Sequence, residues 1–403
     1  MNRRILVFPC GSEIGLEIHR SMRFSTHFEL IGASSVDDHG RFVYEEYIPD
    51  IPFHQDEDFL RRIAEVVLEY RIDAIYPTMD AVAETLHNIA DDLQCLIIGS
   101  SAWTTAICAS KKATYALLRD YLPTPYRNTQ LVASEEAALV FLERTPSSEM
   151  LLLEYLPGSE WTIDCFSDRH GSLRFQAARG RNRISNGISV NTKPSNAFSA
   201  EFAQWAQLIN KVLKPRGAWF FQAKEDAGGR PKLLEVAARL GGSSGLFRCM
   251  GVNFALLSVF DAFEKDISVV PNTYRIELDR ALQNRYKIDI DYQHVFVDLD
   301  DCLLVRGRPN TQLISFIYQA IGEGKEITLL TRHAHDPDTT LKRYRLSELF
   351  DRKIHLRNGE NKSDFIENES SIFIDDSFSE RQDVANRRGI PTFAPDMIEA
   401  LLR

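Results

Sequence analysis

Hydrophobic and polar residues alternate in a different way in each of three parts of the chain. Up to about residue 105, short apolar runs such as 5–8 and 74–77 are separated by helix-like segments such as 59–70, which is amphipathic. Strands that alternate with helices predict a parallel sheet with helices on both faces. We therefore expect a doubly wound α/β domain over residues 1–105.

The pattern changes over residues 106–275. It predicts helices at 111–121, 134–144 and 200–213, and strands at 150–154, 219–223 and 232–236. Gly228-Gly229 separates the last two strands and predicts a hairpin. Gly171, Gly180 and Gly187 are further turn signals between strands. Together these elements indicate an α+β domain.

A third domain is predicted after a polar segment of mixed charge at 276–290, which we interpret as a linker. Over residues 291–403, apolar runs at 294–297 and 327–331 again alternate with helix signals. A chain of 403 residues suggests two or three domains at roughly 150 residues per domain. The fold class is therefore a multidomain combination of α/β and α+β.

Composition and charge restrict the class of protein. The net charge of -10 argues against a protein that coats nucleic acid, because phosphate contacts require clustered Lys and Arg. Six cysteines occur singly, without a CxxC pair, which indicates reduced thiols. The first apolar run stops at Pro9, so it is predicted to be a strand and not a signal peptide. We expect a cytoplasmic protein that binds neither nucleic acid nor membrane.

Two carboxylates follow the apolar run at 294–297. Residues i and i+2 of a strand point to the same side, so Asp298 and Asp300 can converge on one Mg²⁺ ion and one phosphoryl group. The alternative is that these acids cap a helix or lie in a loop. Thr331 closes a later apolar run, Lys362 follows in Asn361-Lys362-Ser363, and Asp375-Asp376 closes a third run.

In that order these residues resemble the four signature motifs of the haloacid dehalogenase-like (HAD) phosphotransferases, over roughly residues 290–403. The resemblance implies a Rossmann-like domain, without a large cap because the connections after Asp301 and Thr331 are short. It implies Asp298 as nucleophile, Asp300 as acid and base, Thr331 and Lys362 as phosphoryl and charge partners, and a Mg²⁺ site with Asp298, Asp300, Asp375 and Asp376 as ligands. His333 and His335 are placed near the mouth of this site, as loop residues.

A second resemblance covers the rest of the chain. The segments Leu152–Asp164, Phe221–Asp226 and Leu234–Gly242 resemble the ATP-grasp fold, in particular its carbamoyl-phosphate synthase-like branch and modules from tellurium-resistance-associated biosynthetic clusters. The resemblance implies ATP and Mg²⁺ as cofactors. It also implies a ligase that activates a carboxylate as an acyl-phosphate and transfers the acyl group to an amine or a thiol.

The strand and hairpin positions suggest roles within that fold. Residues assigned to ATP are Lys111 for phosphate, the backbone of Glu154, Tyr155 and Leu156 for adenine, Glu160 for ribose, and Arg239 for phosphate or a carboxylate. Gln222 and Glu235, on the two arms of the hairpin, are assigned to a metal ion, and Arg181 and Arg183 to an anionic substrate. Gly241–Gly245 is either a phosphate-binding loop or a turn before the helix at 254–263.

Two departures from the ATP-grasp pattern leave two hypotheses open. Ala237 stands where the family usually has a metal-binding Asn, and the stretch from Pro125 to Ser134 lacks the usual Gly-rich loop and second Lys. The first hypothesis is a bifunctional ligase and phosphatase acting on a small carboxylate and a phosphorylated substrate. The alternative is a HAD phosphatase whose ATP-grasp module only binds nucleotide or serves as a scaffold. A binding role without either activity is a third interpretation. The sequence does not set the oligomeric state, and a homodimer is one assembly that we consider.

Overall fold

The structure is a computed structural model that describes residues 3–123, 134, 154–185, 187–281, 286, 288–366 and 370–402. It divides into two compact units, residues 1–282 and 283–403. Nearly all of the helix predicted at 134–144 and of the strand predicted at 150–154 lies outside the described residues, as does the stretch after Pro125 that was compared with a Gly-rich loop. Within the described ranges, no helix is long and apolar enough to cross a membrane.

The first unit begins with a five-stranded parallel sheet of order β3-β2-β1-β4-β5. Its strands are β1 (Arg3–Phe8), β2 (Phe28–Ala33), β3 (Glu46–Ile48), β4 (Ala74–Pro77) and β5 (Leu96–Ile97). Helices α1 (Glu13–Met22), α2 (Phe59–Glu69) and α3 (Asp80–Asn88) connect them. Successive residues of β1 point to opposite faces: Ile5 and Val7 pack with α1, and Leu6 and Phe8 pack with α2 and α3. The sheet is therefore covered on both faces, as its alternating pattern predicts.

A six-stranded antiparallel sheet forms the rest of the first unit, in the order β10-β9-β6-β7-β8-β11. Its strands are β6 (Glu160–Ser167), β7 (Leu173–Ser185), β8 (Ile188–Pro194), β9 (Gly217–Glu225), β10 (Pro231–Ala237) and β11 (Leu278–Asp279). The helices of this part are α4 (Ala102–Ala109), α5 (Lys111–Leu118), α6 (Ser199–Leu213), α7 (Gly245–Arg248) and α8 (Phe254–Ala262). The predicted hairpin at Gly228-Gly229 joins β9 to β10.

Two positions differ from the sequence-based expectation. Gly180 was expected in a turn, but it lies inside β7, opposite Trp161 of β6 and Lys193 of β8. Strands on both sides supply backbone hydrogen bonds there, so the local turn preference of glycine is overridden. Leu278–Asp279, within the segment interpreted as a linker, pairs with β8 as the edge strand of this sheet.

Alternation along β6 separates an apolar from a polar face. Trp161, Ile163 and Cys165 pack into one core cluster with Phe202 and Ile209 of α6. Side chains on successive residues of a strand point to opposite faces. The intervening residues of β6, which are Glu160, Thr162 and Asp164, therefore point to the other face.

The second unit is a five-stranded parallel sheet of order β16-β15-β12-β17-β18. Its strands are β12 (His294–Val297), β15 (Glu326–Thr331), β16 (Arg352–His355), β17 (Ser371–Ile374) and β18 (Thr392–Phe393). The short hairpin β13 (Leu304–Val305) and β14 (Arg308–Pro309) follows β12, and the helices are α9 (Thr311–Gly322), α10 (Pro337–Tyr344) and α11 (Phe378–Arg388). Leu313 and Leu341 pack on one face of β12, and Val384 packs on the other.

Candidate functional site

The carboxyl ends of β12 and β17 bring two aspartates together. The two strands pair in parallel with Val297 opposite Ile374, so Asp298 and Asp375 are the next residue on each strand. The backbone N–H of Asp298 donates to the carbonyl of Ile374 at 2.9 Å. Both side chains are buried, with 5% and 1% of each residue exposed. The apolar strand residues before them are held in the core, and this places the two acids at the edge of the sheet.

Lys362 lies between these two carboxylates. Its Nζ is 2.6 Å from Asp298 Oδ1 and 2.6 Å from Asp375 Oδ2, and the residue is only 3% exposed. It is the first residue of a short 3₁₀ helix, Lys362–Phe365, that precedes β17. One ammonium therefore faces two carboxylates in a buried setting, and the three groups carry a net charge of one negative unit when all are ionised.

Burial dominates the ionisation of this cluster. It raises the pKa of Asp298 to about 6, although Lys362 acts in the opposite direction and Asp375 reinforces the rise. Burial also raises the pKa of Asp375, again opposed by Lys362. For the lysine, burial favours the neutral form, but the two aspartates outweigh it and the pKa of Lys362 lies above its ordinary value.

The same cluster can hold a divalent cation. One carboxylate oxygen each from Asp298, Asp375 and Asp376 lie within 4.8 Å of one another, and Asp376 is exposed. Carboxylate oxygens with open positions for water are the ligand set that Mg²⁺ prefers. The donor set therefore fits Mg²⁺, with the exposed Asp376 on the side open to solvent.

The carboxylate of Asp300 contacts a histidine and not the other three carboxylates. Its two carboxylate oxygens lie 2.9 and 2.8 Å from Nδ1 of His333, and it is not part of the group of three carboxylates. Thr331, at the end of β15, is 1% exposed, and its Oγ1 accepts from the backbone N–H of His333 at 3.2 Å. Sequence reasoning missed the contact between His333 and Asp300. The available signal was the position of His333 two residues after Thr331.

Three of the residues assigned to ATP and its metal ion, Glu160, Gln222 and Glu235, lie on strands of the antiparallel sheet. Gln222 on β9 stands opposite Glu235 on β10, as the hairpin predicts for a shared metal ion. Nζ of Lys111, the first residue of α5, lies 3.4 Å from Glu235 Oε2. Lys111 therefore pairs with Glu235, which faces Gln222 across the hairpin, and the lysine neutralises this carboxylate.

Two of the predicted anion-binding arginines are separated. Arg181 Nε lies 3.1 Å from Oε1 of Glu160, and Lys224 Nζ lies 3.7 Å from the other oxygen of that carboxylate. Arg183 donates instead to Asp279 on the edge strand at 2.7 Å, and both side chains are more than half exposed. Irregular register between Arg181 and Arg183 accounts for the divergence. In this structure the pair does not form one binding site.

Other predicted residues have their own partners. Arg239 Nε donates to Asp80 Oδ2 at 2.9 Å, and its guanidinium lies 5.4 Å from the ring centre of Phe220. Glu154 Oε2 lies 3.8 Å from Lys232 Nζ. The assigned adenine residues Tyr155 and Leu156 are 66% and 5% exposed, respectively.

Arg179 is a buried cation that the sequence-based assignment missed. It is 3% exposed, its Nε donates to Asp164 Oδ2 at 2.6 Å, and its Nη1 has no hydrogen-bond partner among the described residues. Gly241 lies beside this pair, where a Cβ would approach Asp164 Oδ1 to 3.0 Å. The signal in the sequence was the apolar context of each charge, because Asp164 lies between Ile163 and Cys165 and Arg179 follows Ala177-Ala178.

The family match to known proteins lies within the first unit. Residues 146–282, about a third of the chain, match a family described as ATP-grasp in the biosynthetic pathway with Ter operon. The first unit has an ATP-grasp fold. This match agrees with the resemblance that the motifs around Glu160, Gln222 and Glu235 suggested. No curated protein matches the chain.

Solved structures support the same fold at low identity. N5-carboxyaminoimidazole synthetase from Staphylococcus aureus is 15% identical, with 67% of this chain and 82% of that chain covered and a TM-score of 0.55. The biotin carboxylase domain dimer of Hydrogenobacter thermophilus 2-oxoglutarate carboxylase, in complex with MgADP, ADP and bicarbonate, is 14% identical, with 66% and 71% covered and a TM-score of 0.53. Pyruvate carboxylase from Rhizobium etli is 17% identical over 66% of this chain, with a TM-score of 0.53. The chain spans only 28% of that carboxylase.

Proposed function

We propose that the chain is a bifunctional biosynthetic enzyme, in which an ATP-dependent carboxylate–amine or carboxylate–thiol ligase is joined to a Mg²⁺-dependent phosphohydrolase. The domains proposed for these activities are 1–105 and 106–275 for the ligase and 291–403 for the phosphohydrolase. The observation that carries the second activity is the buried cluster in which Lys362 Nζ lies 2.6 Å from both Asp298 and Asp375.

The phosphohydrolase uses Asp298 as a nucleophile. A carboxylate oxygen of Asp298 forms a bond to phosphorus while the bond to the leaving oxygen breaks, and Asp300 gives its proton to that oxygen. Asp300 then takes a proton from water, which attacks the aspartyl-phosphate, and phosphate leaves with Asp298 regenerated. When bound by Asp298, Asp375 and Asp376, Mg²⁺ would supply positive charge against the phosphoryl oxygens.

Two further residues stabilise the phosphoryl group in this scheme. Lys362 offsets the charge that builds up as phosphate and carboxylate approach each other, because its ammonium already contacts Asp298. Oγ1 of Thr331 accepts from a backbone N–H, so its hydroxyl hydrogen remains to donate to a phosphoryl oxygen. Both residues are buried, which keeps water from screening these contacts.

The ligase half rests on the ATP-grasp fold of the first unit. ATP phosphates would be held by Lys111 and by Mg²⁺ on Gln222 and Glu235, which stand opposite each other on the hairpin. The γ-phosphoryl group passes to a carboxylate substrate and gives ADP and an acyl-phosphate. An amine or thiol then attacks the acyl carbon and displaces phosphate. Arg239 would orient the carboxylate through forked hydrogen bonds.

A second candidate function follows from Ala237. This residue is 5% exposed, stands opposite Phe220, and offers no metal ligand where the ATP-grasp pattern usually has Asn. In this alternative the first unit binds nucleotide or serves as a scaffold, and the phosphohydrolase is the only enzyme.

The phosphohydrolase is tested by phosphate release from p-nitrophenyl phosphate with Mg²⁺. Activity should disappear in Asp298→Asn and persist in Asp396→Asn, which removes an exposed carboxylate from the same unit. Retention of full activity in Asp298→Asn would exclude the aspartyl-phosphate mechanism.

The ligase is tested by ADP release from MgATP with panels of carboxylic acids, amino acids and thiols. Ligation predicts ADP release that requires both an acid and an acceptor and is lost in Glu235→Ala. If ATP binds but no pair of substrates yields ADP, the scaffold alternative holds. Asp298→Asn serves as the control, because it should leave ADP release unchanged.

A further inference from the structure

Both ring nitrogens of His333 are engaged by polar groups. Nδ1 lies 2.9 and 2.8 Å from the two carboxylate oxygens of Asp300, and Nε2 lies 2.8 Å from Oγ1 of Thr340 on α10. The side chain of His333 is only 10% exposed, whereas that of Asp300 is 53% exposed. A nearly buried ring therefore reaches out to a carboxylate on the surface of the site.

The backbone of His333 is fixed as well. Its N–H donates to Oγ1 of Thr331 at 3.2 Å, and its carbonyl oxygen lies 2.7 Å from Nε2 of His355 at the end of β16. These contacts tie the residue to the carboxyl ends of two neighbouring strands, β15 and β16. The loop that carries the ring is thus anchored to both strand ends.

The hydrogen-bond partners of His333 indicate which ring nitrogen carries the hydrogen. In its ionised form and in its acid form, Asp300 has an oxygen that accepts a hydrogen bond, so we assign the shared hydrogen to Nδ1 of His333. In the acid form the O–H of Asp300 then remains for the leaving oxygen. In the neutral imidazole Nε2 is then an acceptor, and the hydroxyl of Thr340 can donate to it. Thr340 therefore supports the orientation in which the N–H of His333 points at Asp300.

Asp300 depends on this contact for its position. Among the described residues, the structure gives its carboxylate no hydrogen bond or ion pair other than those with His333. A half-exposed aspartate without an anchor samples several rotamers, and ordering it costs conformational entropy. A general acid must instead lie within hydrogen-bond reach of the leaving oxygen.

We propose that His333 is a positioning residue that fixes the orientation of Asp300 as the acid and base of the phosphohydrolase. The proposal rests on the proposed function of the second unit, and it adds a residue to that site. His333 does not touch the phosphoryl group in this scheme and acts only through Asp300.

Comparing substrates with different leaving groups distinguishes a positioning role of His333 from a purely structural role. kcat/KM reports the steps up to formation of the aspartyl-phosphate, in which Asp300 protonates the leaving oxygen. A simple alcohol needs that proton to leave, whereas 2,4-dinitrophenolate leaves without it. Loss of a correctly placed acid therefore lowers kcat/KM for an alkyl phosphate and spares 2,4-dinitrophenyl phosphate.

The experiment compares glycerol phosphate with 2,4-dinitrophenyl phosphate for the full-length chain with Mg²⁺. General acid catalysis contributes roughly 10²- to 10⁴-fold, so misplacement of the acid in His333→Ala should lower kcat/KM for glycerol phosphate by roughly 10- to 100-fold. The value for 2,4-dinitrophenyl phosphate should change less than about threefold, because proton donation contributes little to that reaction. The ratio of the two values does not depend on the folded fraction of the variant.

Two matched variants sharpen the comparison. In His333→Asn an amide N–H takes a place near that of Nδ1 and should restore much of the activity on glycerol phosphate. His333→Gln extends its amide toward Thr340 and should restore less. Asp300→Ala should show the same selectivity for the leaving group as His333→Ala, with a larger loss.

The outcomes distinguish the inference from the function on which it rests. Equal losses on both esters, or no loss in His333→Ala, overturn the positioning role when Asp298→Asn is inactive. Full activity of Asp298→Asn overturns the proposed phosphohydrolase instead. A wild-type chain that hydrolyses neither ester overturns both together.

Discussion

At the scale of single residues, the buried acids of the second unit carry more negative charge than Lys362 compensates, and a bound metal ion would compensate the rest. Asp298 and Asp375 share one ammonium, so one negative charge of the buried cluster lacks a partner. A buried charge without a partner destabilises the folded state. In the metal-free chain the cluster therefore lowers the free energy of unfolding when both acids are ionised. A cation bound at the cluster would restore that free energy.

Metal-free Asp298→Asn should therefore gain stability relative to the wild type as the pH rises from 4 to 7. The pKa of Asp298 is about 6 in the folded chain, above the ordinary value of 3.8. A raised folded pKa gives stability that is present below pH 3.8 and is lost as the pH rises through 6. A shift of this size corresponds to about 2–3 kcal/mol, and Asn does not incur this loss. Urea unfolding with EDTA at pH 4.5 and 7.5, followed by circular dichroism, measures the difference, and a difference that is the same at both pH values contradicts the assignment.

The cysteines should differ sharply in reactivity. Burial raises the pKa of Cys10 and of Cys108 to about 12, so few thiolates form at pH 8. Cys249 is the exposed cysteine of the chain. A thiol reagent at pH 8 should modify one cysteine rapidly, and Cys249→Ser should remove the fast phase. Rapid modification of two or more thiols in Cys249→Ser would contradict the burial of the others.

At the scale of elements, apolar runs predicted the buried strands well. The run at 294–297 coincides with β12, and the run at 327–331 corresponds to Glu326–Thr331 of β15. Strands buried on both faces consist almost entirely of apolar residues, so their ends are visible in the sequence. The helix predicted at 111–121 ends at Leu118 instead, and Gly180 lies within β7. The helix continues as turns that bond back to the Leu118 carbonyl, and Gly180 is a strand residue because β6 and β8 pair with it on both sides.

Neighbouring site residues could be predicted where they follow a strand end or face each other across a hairpin, as Gln222 and Glu235 do. The resemblance to HAD phosphotransferases implied one site for Asp298 and Asp375, and the two residues lie together because they follow neighbouring parallel strands. The contact of Arg239 with Asp80 joins residues 159 positions apart, and no local pattern indicates it. The contact of His333 with Asp300 likewise depends on how the loop after β15 turns.

Helix α6 should stabilise the first unit mainly through its apolar side. Ile209 is fully buried against the antiparallel sheet, whereas Gln207 on the same helix is exposed. Ile209→Ala should lower the free energy of unfolding by about 2–5 kcal/mol, because it removes buried methyl groups and leaves a cavity. Gln207→Ala should change it by less than about 0.5 kcal/mol. Chemical unfolding measured by tryptophan fluorescence compares the two variants, and equal effects would contradict the packing described for α6.

At the scale of the whole molecule, the two units have separate hydrophobic cores. The clusters built around β1 and around α6 belong to residues 1–282, and those built around β12 belong to residues 283–403. Domains with their own cores generally unfold in separate transitions. All four tryptophans, Trp103, Trp161, Trp205 and Trp219, lie in the first unit, so their fluorescence reports that unit alone.

MgATP should therefore raise the midpoint of the fluorescence transition more than that of the remaining transition seen by circular dichroism. A ligand that binds only the folded state stabilises it by RT ln(1 + [L]/Kd), which is about 2.7 kcal/mol at 100 times Kd. Glu235→Ala should reduce the shift, since this carboxylate stands opposite Gln222 at the proposed metal position. Asp298→Asn, in the second unit, should leave it unchanged. An active ligase and a nucleotide-binding scaffold should both show the MgATP-induced shift of the fluorescence transition. An unshifted transition would therefore exclude nucleotide binding by the first unit in either form.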